Sequence, residues 1–166
     1  MLRRPKREEF DALVTLWHDG WRDGHLAITP PDLAAHRTRP VFVERLEAKW
    51  DKVLVAGPDG APEGFARLIG DELDQFYVTA VARGTGFAAR FIAALEMEFL
   101  DRGVTRPWLI CSLGNDRAAR FYEKSGWVNT GEITGRAEIP GGAFDLPCLR
   151  FEKTLPGAGS PARIGA

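Results

Sequence analysis

Apolar residues recur along the chain with two different spacings, and the spacing changes near residue 52. Over residues 8–23 they follow one another at steps of three and four, which predicts an amphipathic helix that Gly24 ends. A second helix is predicted over 32–50, although Pro40 must break or kink it because proline lacks a backbone N–H. After that the pattern is typical of short strands separated by turn residues. An antiparallel run of strands is predicted over 52–56, 64–69 and 73–79.

The second half of the chain alternates between helices and strands. A glycine-containing turn after residue 79 leads into a helix with phenylalanine and leucine residues four apart, and Gly103 suits its C-terminal cap. A strand follows over 107–112, and Asn115 is a good N-cap for a helix over 116–125. Two further strands are predicted over 127–133 and 145–153. The strand, helix and strand between residues 73 and 112 are expected to form a right-handed parallel crossover.

Together these elements predict an α+β fold, with a mixed central β-sheet flanked by helices in a single domain. The domain is predicted over residues 1–154. Residues 155–166 are rich in glycine, alanine and proline, which predicts a disordered C-terminal tail.

Charge and composition restrict the function. The formal net charge is -1 at pH 7, so we expect no broad binding to nucleic acid or to an anionic membrane. No segment has the length and apolarity of a membrane span, and no N-terminal apolar run resembles a signal peptide. The two cysteines show no CxxC spacing and lie near no histidine cluster, which argues against a disulfide framework and a zinc site. The prediction is a cytoplasmic protein that needs no metal.

The turn Arg83-Gly84-Thr85-Gly86 lies between a strand and a helix, where phosphates are often bound. It lacks the lysine followed by serine or threonine that a P-loop requires. It matches the loose dinucleotide pattern G-x-G-x-x-[GA], but the next strand ends without the acidic residue that binds the ribose. A third pattern includes the arginine and runs Arg83-x-x-Gly86-x-Ala88. Glycines that serve packing alone are the remaining alternative.

The third pattern resembles the pyrophosphate loop, [QR]-x-x-G-x-[GA], of the GNAT superfamily of N-acetyltransferases. A distant stretch, NDRAARFYEKSGW at 115–127, is similar to a second signature of that superfamily, N-x-x-A-x-x-F-Y-x-x-x-G-[FW]. The resemblance covers residues 52–153. The chain departs from the family at Ala80, where proline is frequent but not required. It also has Ala88 where a second glycine is frequent, and alanine is an accepted alternative there.

The resemblance implies a GNAT fold and acetyl-CoA as co-substrate. In the family, the strand equivalent to 73–79 separates from the strand equivalent to 107–112, and the pantetheine arm enters the gap. The resemblance also implies that the Val78 N–H stabilises the oxyanion of the reaction. The cofactor residues that it implies are Val78, Val81, Arg83, Gly84, Thr85, Gly86, Phe87, Ala88, Arg90, Asn115 and Tyr122.

By the same resemblance, Tyr122 is the general acid that protonates the departing CoA thiolate. A tyrosine suits this role because its reference pKa is about 10, so its hydroxyl stays protonated at neutral pH. Ala118 shares its helix face and would leave room for the pantetheine arm. Because Cys111 falls within the strand over 107–112 and no cysteine lies beside the glycine turn, we expect direct attack by the amine in a ternary complex. A core aromatic with its hydroxyl at the surface is the alternative for Tyr122.

Two carboxylates are candidates for the base that deprotonates the amine. Glu72 and Asp74 are two residues apart on a predicted strand and therefore share a face. Asp74 is preferred, because Phe76 and Val78 continue its face toward the reaction centre. A chain of waters, or two solvated carboxylates without a catalytic role, are the alternatives.

The resemblance places the acceptor between the first two helices and the last hairpin. Trp17, Trp21 and His25 are the candidates there, since the two tryptophans share a helix face that can hold a cationic or apolar acceptor. Core packing is the alternative for the tryptophans. The expected function is acetyl transfer from acetyl-CoA to a primary amine of a small molecule or peptide, and family habit suggests a homodimer. A non-catalytic acyl-CoA-binding sensor or scaffold is the alternative, and it would not need the Tyr122 hydroxyl.

Overall fold

The computed structural model describes residues 2–157 of the 166-residue chain. Six strands form one mixed sheet in the order β1-β2-β3-β4-β6-β5, and helices pack against both faces. The strands are β1 Val53–Ala56, β2 Gly64–Ile69, β3 Glu72–Val78, β4 Trp108–Ser112, β5 Val128–Ile139 and β6 Gly142–Glu152. The α-helices are α1 Phe10–His25, α2 Pro31–Ala35, α3 Arg39–Glu47, α4 Phe87–Asp101 and α5 Asp116–Lys124. The predicted α+β fold with a mixed, helix-flanked sheet in a single domain is confirmed.

The N-terminal helices differ from the prediction at two places. α1 continues through Gly24 to its last residue, His25, so Gly24 does not end the helix. A Cβ at Gly24 would lie 3.4 Å from the side chain of Asn115, so the last turn of α1 lies beside the N-cap of α5. The helix predicted over 32–50, which Pro40 was expected to break or kink, is divided into the two helices α2 and α3. Pro40 lies in the first turn of α3, where its missing N–H removes no helical hydrogen bond.

β3 and β4 are parallel neighbours that pair only at their first residues. Glu72 is the partner of Trp108, and the Trp108 N–H donates to the Asp71 carbonyl at 3.0 Å. Within the described residues no further pair joins the two strands, so they separate toward their C-terminal ends. On their other sides, β3 pairs along its length with β2, and β4 pairs with β6. The gap therefore lies inside the sheet and not at its edge.

A β-bulge interrupts β3 at Asp74. Leu73 pairs with Leu68 and Gln75 pairs with Arg67, which leaves Asp74 as an extra residue on β3. The extra residue reverses the alternation of side chains along the strand, so residues on either side of it that are two apart do not share a face.

Two apolar clusters hold the sheet between its helices. One lies on the face covered by α4 and α5 and includes Phe91 and Phe99. The other lies on the face covered by α1 and α3 and includes Trp17 and Phe42, which are both 0% exposed. Burial of a large apolar side chain contributes roughly 1.5–3 kcal/mol, so these clusters fix the position of the central strands.

The C-terminal hairpin is longer than predicted. The predicted strand ends at residue 133, whereas β5 reaches Ile139 and β6 begins at Gly142. Most β5 residues are exposed because β5 is an edge strand, and its sequence therefore lacks the apolar alternation of a half-buried strand. Leu155, which the prediction assigns to the tail, is 4% exposed and its N–H donates to the Thr105 carbonyl. The rest of the predicted tail, from residue 158, lies outside the described residues.

Candidate active site

The separation of β3 and β4 opens a cleft of about 660 Å³. At one end its walls come from the glycine turn before α4 and from α5. At the other end they come from α1, α2, α3 and the β5–β6 hairpin. The volume falls within the range of small-molecule sites. The cleft thus joins the end predicted for the cofactor to the end predicted for the acceptor.

The glycine turn presents backbone N–H groups at the start of α4. Gly84 and Gly86 have φ values of +75° and +78°, which residues with a Cβ rarely adopt. Across residues 2–157, the N–H groups of Gly84, Gly86 and Ala88 donate to no backbone carbonyl. The Thr85 hydroxyl donates at 2.7 Å to a carbonyl earlier in the turn and so fixes its shape. Free N–H groups at a helix N-terminus suit a phosphate group.

Arg83 and Arg117 share one carboxylate at the mouth of the cleft. Each guanidinium lies 2.7 Å from the carboxylate of Asp23. These contacts hold the pKa of Asp23 below its usual range, and the hydrogen bond from Arg117 is the largest cause. Because two cations share one anion, a net positive charge remains beside the glycine turn.

The backbone of β3 offers a donor to the gap. The Thr79 N–H donates to the Glu63 carbonyl at 2.8 Å, on the β2 side. Successive N–H groups of a strand point to opposite sides, so the Val78 N–H points toward β4. Since the only β4 pairing of β3 in the described chain is at Glu72, the Val78 N–H faces the open cleft.

Tyr122 lies on α5, and its helix neighbour Ala118 lines the cleft with it. Its side chain is 8% exposed and packs against the rings of Phe76 and Trp127. Burial raises the pKa of the Tyr122 hydroxyl well above its ordinary value, so the hydroxyl keeps its proton at neutral pH. Asn115 caps α5 as predicted, because its Oδ1 accepts the Ala118 N–H at 3.3 Å.

Two cysteines also line the cleft, and both are buried. Burial raises the pKa of the Cys111 thiol to about 12. Burial also raises the pKa of Cys148. The thiolate is the nucleophilic form of cysteine, so neither side chain is poised to attack an acyl group.

Glu72 and Asp74 both line the cleft, but their surroundings differ. Arg67, which is 2% exposed, donates a hydrogen bond from its guanidinium to the Asp74 carboxylate. Glu72 has no ion-pair partner among residues 2–157. The pKa of Glu72 is raised to about 7. Burial is the largest cause, and the nearby charge of Asp74 is the second. Glu72 is therefore the carboxylate whose proton affinity suits a base at neutral pH.

The bulge also separates Asp74 from the face that was expected to lead to the reaction centre. Phe76 and Val78 pack on the α4 side of the sheet. Asp74 instead reaches Arg67, whose guanidinium lies 5.0 Å from the ring centre of Trp17 on the α1 side. The reason for preferring Asp74 over Glu72 therefore does not hold, because the extra residue reverses the strand alternation.

At the acceptor end, Trp21 and His25 line the cleft and Trp17 does not. The Trp21 and His25 rings are nearly parallel, with 6.1 Å between their centroids, and burial lowers the pKa of His25. Trp17 was predicted to contact the acceptor, but it is wholly buried and does not line the cleft. It lies instead beneath the guanidinium groups of Arg45 and Arg67, which are 4.7 and 5.0 Å from its ring centre.

The basic residues of the acceptor end were not predicted from the sequence. Arg37, Arg45 and Arg67 all line the cleft, and so does Lys49. One signal was available, because Arg67 interrupts the otherwise apolar strand over 64–69. For Arg37 and Arg45 the sequence offers less, since the direction of each side chain depends on where the helix predicted over 32–50 is broken.

Five of the predicted cofactor residues do not line the cleft: Val81, Thr85, Gly86, Phe87 and Arg90. They lie in or beside the glycine turn, next to the mouth of the cleft. Val81 is 79% exposed, the Phe87 side chain packs against the core, and the Arg90 guanidinium lies 3.4 Å from the Thr85 carbonyl. Their contact with a cofactor stays a prediction.

Neither a metal cluster nor a membrane-spanning helix is found in the described part of the chain. Across residues 2–157, no group of three or more histidine, cysteine, aspartate or glutamate side chains is placed to hold a metal ion. The helices there lack the length and apolarity that a membrane crossing demands.

Comparison with known proteins agrees with this geometry. A model of the acetyltransferase (GNAT) family matches residues 10–127. Uncharacterized N-acetyltransferases of Mycobacterium bovis and Mycobacterium tuberculosis are 34% identical to this chain over an alignment of 119 residues, and the match covers 66% of this chain and 76% of each relative.

Solved structures of acetyltransferases share the fold. A GCN5-related N-acetyltransferase from Rhodopseudomonas palustris superposes with a TM-score of 0.70 at 24% identity, covering 93% of this chain and 95% of that one. YncA, a putative acetyltransferase from Salmonella typhimurium whose structure contains its cofactor acetyl-CoA, gives a TM-score of 0.66 at 16% identity over 98% of both chains. PaiA N-acetyltransferase from Thermoplasma acidophilum, in complex with coenzyme A, gives 0.63 at 15% identity over 93% of this chain and 98% of that one. From its matched residues, its relatives and its fold, the chain belongs to the GNAT family of acetyltransferases.

Proposed function

We propose that this protein transfers the acetyl group of acetyl-CoA to a primary amine, by direct attack within a ternary complex. The observation that carries the proposal is the gap between β3 and β4. It joins the glycine turn at one end to Tyr122 in its wall and to Glu72 near the acceptor end.

The glycine-turn end is suited to the cofactor. The free N–H groups of Gly84, Gly86 and Ala88 would bind the pyrophosphate, with Arg83 and Arg117 supplying positive charge beside it. The pantetheine arm would enter the gap and pair with the free backbone of β3, as a peptide does when it adds to a sheet. Acetyl-CoA and coenzyme A in the structures from Salmonella typhimurium and Thermoplasma acidophilum support this assignment.

The residues around the gap match the charges that develop during acetyl transfer. Acetyl-CoA supplies a thioester carbonyl that the amine attacks and a thiolate that leaves. The Val78 N–H faces the gap and would donate to the carbonyl oxygen as negative charge builds on it. The Tyr122 hydroxyl, whose pKa is raised by burial, holds a proton that it can deliver to the thiolate.

Glu72 is the proposed base. An alkyl amine has a pKa near 10, so most of it is protonated at pH 7 and must lose a proton before it can attack. The pKa of Glu72, about 7, leaves a large fraction of the carboxylate ready to accept that proton, either directly or through water. Asp74 then acts as a positioning residue, because it holds Arg67 and its charge contributes to the raised pKa of Glu72.

Replacement of Tyr122 by phenylalanine tests this function. We expect kcat for amine-dependent thiol release to fall about 100-fold, because the general acid is lost. The affinity for acetyl-CoA in isothermal titration should stay within about twofold of the wild-type value, since the ring is kept. An unchanged kcat would contradict the role of Tyr122. Binding of acetyl-CoA without turnover on any amine would instead favour the sensor or scaffold alternative.

A further inference from the structure

The acceptor end of the cleft contains two arginines that have no carboxylate partner among residues 2–157. Arg37 is 6% exposed, and its guanidinium donates at 2.6 Å to the backbone carbonyl of Glu138. Arg45 has its Nε buried without a hydrogen-bond partner, and its guanidinium makes no hydrogen bond or ion pair with any residue in the described range. Arg67 differs from both, because the Asp74 carboxylate neutralises it.

An unpaired cation in such surroundings calls for an anion. Burial of a charged group is costly unless a counter-charge or hydrogen bonds compensate it. The pKa of Arg45 is lowered to about 10. Burial is the largest cause, and the positive charges of Arg37 and Arg67 also lower it. The structure therefore holds a site whose positive groups repel one another and would be stabilised by a bound anion.

The other charges of this end leave a positive excess. Lys49 also lines the cleft, and its charge lies near Glu72. The carboxylates that face the arginines are Glu72, Asp74 and Glu138. Asp74 is paired with Arg67, while the Glu138 side chain is on an exposed residue and is screened by solvent. Glu72, with a pKa of about 7, carries only part of a negative charge at neutral pH.

The arginines are also held in place. The Arg45 guanidinium lies 4.7 Å from the ring centre of Trp17 and 5.8 Å from that of Phe42, so two buried rings support it. Arg37 is fixed by the hairpin carbonyl. A planar guanidinium held in this way offers paired N–H donors to a carboxylate or phosphate group.

We propose that Arg37 and Arg45 bind an oxyanion carried by the acceptor, so that the preferred substrate is an amine that also carries a carboxylate or phosphate group. This inference rests on the proposed function and names the substrate class of the same cleft. The oxyanion would lie against the two arginines while the amine faces Glu72. Glycine, β-alanine and O-phosphoethanolamine represent this class.

The test compares matched pairs of amines in the thiol-release assay. The pairs are β-alanine with β-alaninamide, glycine with glycinamide, and O-phosphoethanolamine with ethanolamine. We expect kcat/KM to be about 10-fold or more higher for the anionic member of at least one pair, as for a charge-assisted hydrogen bond. The carboxylate and phosphate pairs then show which oxyanion the site prefers. Equal or better turnover of every neutral member would overturn the inference and leave the acetyltransferase assignment intact.

Arg45→Gln separates the oxyanion site from the rest of the machinery. We expect it to raise KM for the anionic member about 10-fold and to lower the ratio of kcat/KM between the anionic and the neutral member toward one. Arg102→Gln is the matched control, because Arg102 pairs with Glu98 on α4 and lies outside the cleft. The inference fails if Arg45→Gln leaves the preference for the anionic member unchanged.

A second readout does not depend on turnover. Glutarate and inorganic phosphate, each added without acetyl-CoA, should raise the unfolding temperature of the wild type and of Arg102→Gln through binding to the folded state. The same additions should have a smaller effect on Arg45→Gln. Equal shifts in all three proteins would overturn the site. If acetyl-CoA fails to bind at all, the proposed function falls, while a shift that depends on Arg45 still supports the oxyanion site.

Discussion

Glu72 and Asp74 show how the surroundings of a residue decide its chemistry. Both are carboxylates on β3, and both face the cleft. Asp74 is committed to Arg67, whereas Glu72 is half-buried without a cationic partner in the described chain and has a pKa of about 7. The sequence predicts the pair as candidates. It does not predict their division of roles, because that depends on the bulge at Asp74 and on a cross-strand arginine.

Replacement of Glu72 by glutamine tests its role as the base. A protonated carboxyl group cannot accept a proton, so wild-type kcat/KM should rise with pH up to about pH 7 and then level off. Deprotonation of the amine itself gives a separate rise at higher pH. In Glu72→Gln we expect the rise that ends near pH 7 to be absent and kcat to fall about 100-fold.

Asp74→Asn serves as the comparison for that profile. This substitution removes one of the charges that raise the pKa of Glu72. The increase of kcat/KM with pH should therefore persist but occur at lower pH. A wild-type profile that Glu72→Gln leaves unaltered would show that Glu72 is not the base.

At the scale of elements, the glycine turn and the separated strands form the end of the cleft that we propose for the cofactor. The turn was predictable, because two glycines between a strand and a helix form a short local pattern. The arginine-bearing walls of the acceptor end were not predictable. The separate helices α2 and α3 bring Arg37 and Arg45 to the cleft, and β5 extends farther than its mostly exposed residues indicate. Contacts between elements distant in sequence leave no local pattern to read.

Gly84→Ala tests whether the turn binds the cofactor. The φ of +75° disfavours alanine although the space around a Cβ is open, so we expect a loss of stability of about 1 kcal/mol in urea unfolding. The strained turn should also weaken acetyl-CoA binding about 10-fold by isothermal titration.

Gly60→Ala is the matched control for that variant. Its φ is +76°, a Cβ added there would meet no atom within 4 Å, and it lies in the turn between β1 and β2. It should lose similar stability and bind acetyl-CoA like the wild type. Wild-type affinity in both variants would count against the turn as the phosphate site.

At the scale of the whole molecule, the N-terminal segment is tied to the sheet by a buried carboxylate. Glu9 is 2% exposed and accepts hydrogen bonds from the Arg3 guanidinium and from the N–H groups of Lys6 and Gly60. The Arg3 hydrogen bond is the main reason that the pKa of Glu9 is about 2. The sequence does not indicate this network, because adjacent basic and acidic residues usually lie at the surface.

This network predicts an acid-sensitive contribution to stability. The pKa of Glu9 is lower in the folded state, so its contribution is fully present above about pH 4.5 and is lost as the pH falls toward 2. The difference from the ordinary value corresponds to about 3 kcal/mol. In urea unfolding at pH 7, the free energy of unfolding of Glu9→Gln should be lower than that of the wild type by about that amount. This difference in free energy should become smaller at pH 3. Glu8→Gln is the control substitution. A difference in free energy between wild type and Glu9→Gln that stays constant with pH would contradict the network.

The central claim is that this chain binds acetyl-CoA in the gap between β3 and β4. Isothermal titration of the wild-type protein with acetyl-CoA, beside NADH as the control dinucleotide, measures this most directly. We predict saturable binding of acetyl-CoA at one site per chain and no binding of NADH. Absence of acetyl-CoA binding, or equal binding of NADH, would contradict the account.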